Sequence, residues 1–418
     1  MQCLHRSDRR RHLASSSTRL FTLNEDAGPA APPRVSHQAQ RYARARTRTP
    51  PAGSNASHHQ HSHAEPALRT RAPGLVSLDQ PTGTPLPEGV NPAVTPTRNR
   101  QVCDYEGSAY RTEFWGADRD YEDGAERTAI RHLLPPSGRR LIDIGGGYGR
   151  LVPLYRGYDH VIIFDYALSQ LREAQRLWTN DREHGSKLTC VAGDFYRLPF
   201  AAATFDTAVI VRALHHATDA PAVIRGTAQL LAAEGTLLLE FANKRNLKAI
   251  LRYLIGRQSW SPFEPEPVEF VPLNFDFHPT WIEDTLRQEG LAIRQRRAVS
   301  TFRLAVLKKL VPTRILVALD RLCQPLGNVV ALSPSVFLRT ERKEGPPFSP
   351  PAHLFQCIEC GSTDLATGPE SVLCRACRRD YPVRDGIYDF RPADEGHSRT
   401  ASPSWPQHHT PSPGLQGG

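Results

Sequence analysis

The sequence predicts an α/β protein built on a parallel sheet covered by helices on both faces, followed by a small cysteine module. Three observations point there. From about residue 105 apolar runs alternate with amphipathic stretches in strand, helix, strand order. The strand-like runs are nearly continuously apolar, as in parallel strands buried on both sides. A glycine-rich turn follows the first run, and acidic residues close the first three. The chain has 418 residues, enough for two or three domains, and no apolar run long enough to span a bilayer. Its mean hydropathy of -0.45 and its composition exclude a collagen, a coiled coil and a disulfide-rich mini-protein.

Residues 122–134 carry a helical period that stops at Pro135-Pro136, since proline lacks the amide a helix needs. Residues 141–144 form the first strand, which runs into Gly145-Gly146-Gly147-Tyr148-Gly149, and a helix is expected from about Arg150. The second strand, 161–164, ends at Asp165, and 167–178 reads as a helix. The third strand, 188–191, leads to Gly193-Asp194-Phe195. Residues 205–212 form a fourth strand ending near His215 and His216, 220–232 a helix, and 237–241 a fifth strand. Ligands of such sheets bind beyond the carboxyl ends of the strands, so the glycine turn, Asp165, Asp194 and the histidines share the binding edge.

The net charge of +9 invites a nucleic-acid reading, but its distribution argues otherwise. Residues 1–100 carry 14 Arg, no Lys and 6 acidic side chains, a net +8, leaving +1 for everything after them. That first quarter is rich in Pro, Arg, Ser and His, has only two aromatics, and shows no sustained period, so it reads as a disordered extension. An RNA-binding arm, an organelle transit segment and an extension without function all fit its composition. Residues 392–418 read as a disordered tail. The domain boundaries expected are thus 1–100, 101–345, 352–391 and 392–418.

The turn spells D-x-G-x-G-x-G from Asp143 to Gly149. A dinucleotide fingerprint would need glycine at 150, where the chain has Arg150. Asp165 stands 22 residues past Asp143, where a carboxylate can accept both hydroxyls of a ribose, although it could equally cap the next helix. Asp194 could accept from an adenine amino group with Phe195 as apolar contact, or be a turn residue. The stretches 141–149, 161–165, 192–200 and 205–216 resemble the class I S-adenosylmethionine-dependent methyltransferases, in particular the small-molecule (type 11) branch, over residues 105–341. The resemblance implies a Rossmann-like seven-stranded sheet with a reversed final hairpin. Strands six and seven would then be 291–300 and 332–339, with helices at 279–289 and 313–323. It implies that Asp143, Gly145, Gly146, Gly147 and Gly149 hold the methionine part of the cofactor. Asp165 would take the ribose, Tyr166, Asp194 and Phe195 the adenine, and Arg212 would lie under the sulfonium.

A sulfonium methyl is already activated, so the enzyme mainly aligns reactants and excludes water. A base is needed only if the acceptor must lose a proton, and His215 and His216 are the candidates, against ordinary packing roles. Tyr105, Tyr110, Phe114 and Trp115 could close over the cofactor. Residues 245–282, rich in Trp, Phe and Pro, read as a cap on the acceptor site or as a satellite apolar cluster. The acceptor expected is a small or lipid-like molecule, with RNA as the alternative, gripped by the basic arm and the cysteine module. A cytoplasmic location is expected.

Cys357-x-x-Cys360 and Cys374-x-x-Cys377 lie 13 residues apart, the spacing of a tetrahedral zinc site. About 40 residues cannot fold on so small a core, and Zn2+ would supply the missing stability. Four thiolates close the coordination sphere, so the site is structural. Tyr381 to Ile387 resembles the short zinc ribbons attached to many methyltransferases.

Overall fold

The computed structural model describes residues 102–115, 119–181, 187–348 and 354–392. The disorder expected of residues 1–100 falls outside them, and so does that expected of 392–418 apart from Pro392. An irregular segment with one π-helical turn, Tyr110–Phe114, precedes helix α1, Asp120–Leu133. Strand β1 is Gly138–Ile144 and β2 is Tyr158–Asp165, followed by α2, Leu168–Trp178. Strand β3 is Leu188–Ala192, β4 Phe205–Ile210, α3 Ala220–Leu230 and β5 Leu231–Ala242. An insertion then holds α4, Leu247–Leu254, and a hairpin of β6, Val268–Val271, and β7, Asn274–Asp276. Helix α5, Pro279–Gln288, leads to β8, Leu291–Val299. Helices α6, Ala305–Leu310, and α7, Thr313–Cys323, lead to β9, Ser335–Arg342.

Residues 158–165, 138–144, 188–192 and 205–210 pair as a parallel core, and the order across this part is β3-β2-β1-β4-β5-β9-β8. Strand β9 runs antiparallel between β5 and β8, the reversed hairpin that the resemblance implied. Alternate side chains of the strands feed two cores, as the twofold strand period requires. Leu141, Ile163 and Val209 pack with Ile130 of α1 and Leu171 of α2. Ile142, Phe164 and Ile210 pack with Ile224 of α3 and Ile282 of α5.

Two expectations need correction. No regular α-helix follows the glycine turn, only a 3-10 turn at Val152–Leu154, with Pro153 in its first positions. The sheet does not stop at seven strands. The cysteine module forms β10, Leu365–Thr367, β11, Ser371–Cys374, β12, Asp380–Arg384, and β13, Ile387–Asp389, and its last strand pairs in parallel with β3. One eleven-stranded sheet results. Phe355, Tyr381 and Phe390 of the module join the core beneath β3, with the Phe355 ring 5.8 Å from that of Phe200. Backbone bonds from Gln356 to Pro199, from Ala201 to Leu354 and from Phe390 to Ala192 fix the seam.

Candidate active site

The site is built from the carboxyl ends of β1 to β4. Gly145 and Gly147 adopt left-handed φ of 73° and 54°, which lets the chain reverse direction at the end of β1. A Cβ at Gly145 would stand 2.4 Å from that of Ala213, so only glycine lets the turn pass under the end of β4. Above Gly147 the space is open, and a Cβ there would meet only Asp165, at 4.0 Å. The amide of Gly147 donates to Asp165 Oδ2 at 2.9 Å, joining the first two strand ends. Asp165 also accepts from the amide of Ala167 at 3.0 Å, in the turn that leads into α2, and it faces the pocket.

The pocket is lined by Gly145, Gly147, Asp165, Tyr166, Phe195 and Arg212 on one side, and by Tyr105, Tyr110 and His216 on the other. The cover comes from the segment before α1. Its Glu106 carboxylate accepts from the amide of Ser169 at 3.0 Å, and Ser169 Oγ accepts from the amide of Gly107 at 2.9 Å. Helix α2 has no side-chain cap of its own, and Glu106 supplies one from outside. Arg111 and Glu173, 2.6 Å apart, add a second latch.

Not every expected residue reaches the pocket. Asp143 is buried under the turn and accepts from Tyr155 OH at 2.8 Å, which makes it a brace for the loop. Burial pushes its carboxyl up to about 7, against the pull of the Tyr155 hydroxyl. Gly146 packs over Ile163 and Asp143, and Gly149 against Trp178. Asp194 accepts from the amide of Tyr196 at 2.8 Å and holds the turn that presents Phe195. Asp165 remains on the pocket wall, and burial pushes it up to about 6, partly offset by the amides of Ala167 and Gly147.

Arg212 has a left-handed φ of 56°, and its amide donates to Glu240 Oε2 at 2.8 Å. Its guanidinium turns into a buried cluster with Glu126, which also binds Arg150 at 2.8 Å. Burial alone would raise the Glu126 carboxyl, but Arg212 and Arg150 hold it below its ordinary value. Trp115 lies over Arg150, 3.8 Å from ring centre to guanidinium carbon, so the cover segment also rests on this cluster. Nothing in the sequence pattern marked Glu126 or Glu240, because a buried ion cluster has no characteristic spacing.

His216 lies in the pocket wall with both ring nitrogens engaged. Its Nδ1 is 2.9 Å from the carbonyl of Leu273, a pure acceptor, so Nδ1 carries the proton. Its Nε2, 3.0 Å from Tyr105 OH, then accepts. Burial holds His216 below the usual histidine range, against the pull of the Leu273 carbonyl. His215 lies against it with ring centres 3.9 Å apart and planes tilted by 47°, and burial, His216 and Arg212 together drive its pKa well down. Both rings are neutral at neutral pH. The Leu273 carbonyl comes from the turn between β6 and β7, so the 245–282 insertion reaches the pocket through His216.

The residues present fit an adenosyl cofactor on two counts, the open cradle above Gly147 and a carboxylate facing the pocket at the end of β2. The second centre is equally defined. The sulfurs of Cys357, Cys360, Cys374 and Cys377 all lie within 4.8 Å of one another, with Cys357–Cys377 and Cys360–Cys374 at 3.6 Å. Four thiolates around one zinc stand about 3.8 Å apart, given Zn–S bonds of about 2.3 Å. The set fits a structural Zn2+.

The chain carries an S-adenosylmethionine-dependent methyltransferase domain. Residues 142–239 match the methyltransferase domain family, and the chain carries a type 11 domain of that class. No curated protein matches the sequence. Similar solved structures include a chain of the complex between the Haloferax volcanii Trm112 methyltransferase activator and a methyltransferase. It is 14% identical, with 56% of this chain and 97% of that one covered and a TM-score of 0.40. Magnesium protoporphyrin IX methyltransferase from Synechocystis PCC 6803 is 18% identical over 54% of this chain and 84% of its own, with a TM-score of 0.37. An S-adenosylmethionine-dependent methyltransferase from Thermotoga maritima is 18% identical over 55% and 94%, with a TM-score of 0.38.

Proposed function

We propose that this methyltransferase acts on a small or lipid-like acceptor, which enters beneath the cover of Tyr105, Tyr110 and His216. The observation that carries the reading is the composition of that cover, two tyrosines and a neutral histidine over a narrow pocket, which suits an apolar molecule better than a charged polymer. S-adenosylmethionine supplies an electrophilic methyl group when bound. The Gly145–Gly147 turn would receive its amino-acid part, Asp165 its ribose diol, and Tyr166 and Phe195 the faces of its adenine. Asp143 and Asp194 act through the loops they brace.

The aromatic cover excludes water, which would otherwise compete with the acceptor. Tyr105 donates to His216, and His216 donates to Leu273, so the imidazole is held as the tautomer whose unprotonated Nε2 faces Tyr105. A hydroxyl acceptor that displaces the Tyr105 hydroxyl would find an unprotonated Nε2 waiting for its proton. The reading is tested by supplying the protein with methyl-labelled S-adenosylmethionine and, separately, a lipid extract, a polar metabolite extract and total RNA. Label in the lipid or metabolite fraction is expected. Label confined to RNA would replace this reading with the polymer one.

A further inference from the structure

We infer that the apolar face formed by α4 and residues 304–332 docks on a lipid surface bearing anionic headgroups. Helix α4 is amphipathic the wrong way round for a packed helix. Leu247, Leu251, Leu254 and Ile255 recur at helical spacing, yet they are 51 to 68% exposed, and Ala249 alone of the helix is buried. Helix α6 buries no residue. Helix α7 turns Leu316 and Asp320 inward against α1 and leaves Leu319 and Leu322 on its outer side, Leu322 being 75% exposed. The stretch that follows keeps Val329 at 83%.

The two regions meet at one point. The amide of Leu247 donates to the carbonyl of Leu332 at 2.9 Å, and the Asn243 side chain donates to the carbonyls of Ala331 and Ser333 at 2.9 and 2.8 Å. Both are therefore anchored at the carboxyl end of β5, on the edge of the sheet that holds the pocket. Monomeric soluble proteins rarely leave so many large apolar side chains together at the surface.

Charge selects the occupant. Lys248, Arg252 and Arg257 accompany α4, and Lys309, Arg314 and Arg321 accompany the second region. The one acidic residue in 245–257 and 304–332 is Asp320, which is buried and accepts from Tyr121 OH at 3.0 Å. Apolar side chains flanked by Lys and Arg match a bilayer interface with anionic headgroups, and the exposed carboxylates of the same insertion, Glu264, Glu266 and Glu269, fall outside these two stretches. A second copy of the chain would bring the same cations against these ones.

The test is sedimentation of the full-length protein with phosphatidylcholine vesicles, with and without phosphatidylglycerol, at low and high salt. Leu254→Glu combined with Val329→Glu serves as the variant. Melting and S-adenosylmethionine binding of the variant report its fold, independently of vesicles and of the acceptor's identity. The wild type should partition onto vesicles containing phosphatidylglycerol and keep part of that binding at high salt. The variant should lose roughly tenfold or more. Three results would overturn the proposal. The wild type could fail to partition. The variant could partition as well as the wild type, which would place the attraction in the cationic residues 1–100. Light scattering could find a wild-type dimer that the variant breaks with no change in partitioning, which would make a second copy the occupant.

Discussion

At the residue scale, one carboxylate does two jobs with opposite pH dependence. Asp165 reaches about 6 in the fold against 3.8 as its ordinary value, because burial outweighs its amide donors. The folded chain therefore takes up this proton before the unfolded chain does. Its contribution to the stability of the cofactor-free protein rises as pH falls from about 6 towards 4. On the proposed role of Asp165 as the ribose acceptor, cofactor affinity moves the other way, since the diol needs the ionised form. Affinity for S-adenosylmethionine should be flat above neutrality and fall by about tenfold per unit well below pH 6, as titration at a series of pH values would show. The glycine turn was legible because backbone reversal demands glycine at a strand end, and Asp165 was legible as an acid closing the second strand. Asp143 and Asp194 were legible as loop-end acids but not as braces, since their partners, Tyr155 and the amide of Tyr196, follow from side-chain packing and local turn geometry. For His216, replacement of Tyr105 by Phe removes the donor to Nε2 and leaves the Leu273 bond. If the acceptor is a hydroxyl, this variant should retain methyl transfer, and His216→Ala should lose about a hundredfold in kcat with little change in cofactor affinity.

At the element scale, the parallel strands and their helices could be read from period and apolar content, and β8 and β9 were expected from the resemblance, with ends within a few residues except for β5. The exception is informative. Strand β5 begins at Leu231, six residues before the apolar run, because the segment after α3 extends along β4 before the run begins. The seam between β3 and β13 was invisible to the sequence because parallel edge pairing is made by backbone groups, which leave no pattern in side chains. It has energetic consequences. Phe390 is 1% exposed, and Phe390→Ala should cost about 3–5 kcal/mol, measured by denaturant unfolding. The four thiolates hold the ribbon that carries this residue. Metal analysis should return zinc, and Cys360→Ser should release the metal and lower the melting temperature of the whole unit, since the ribbon and β3 share one core. Independent melting of a ribbon and an unaffected sheet would contradict that continuity.

At the scale of the whole molecule, the described residues build an eleven-stranded sheet whose carboxyl edge collects the glycine turn, Asp165, Arg212 and His216, with a cover segment latched over it. No helix among the described residues is long and apolar enough to cross a membrane. The net charge that first suggested nucleic acid belongs to residues 1–100, whereas the rest of the chain carries +1. We propose that this edge binds S-adenosylmethionine through Asp165. It is tested most directly by calorimetric titration of the full chain and of Asp165→Ala with S-adenosylmethionine at neutral pH. Saturable binding by the wild type is expected, weakened roughly tenfold to a hundredfold or more in the variant, as the loss of bonds to a charged acceptor requires. Absence of binding to the wild type, or equal affinity in the two proteins, would contradict it.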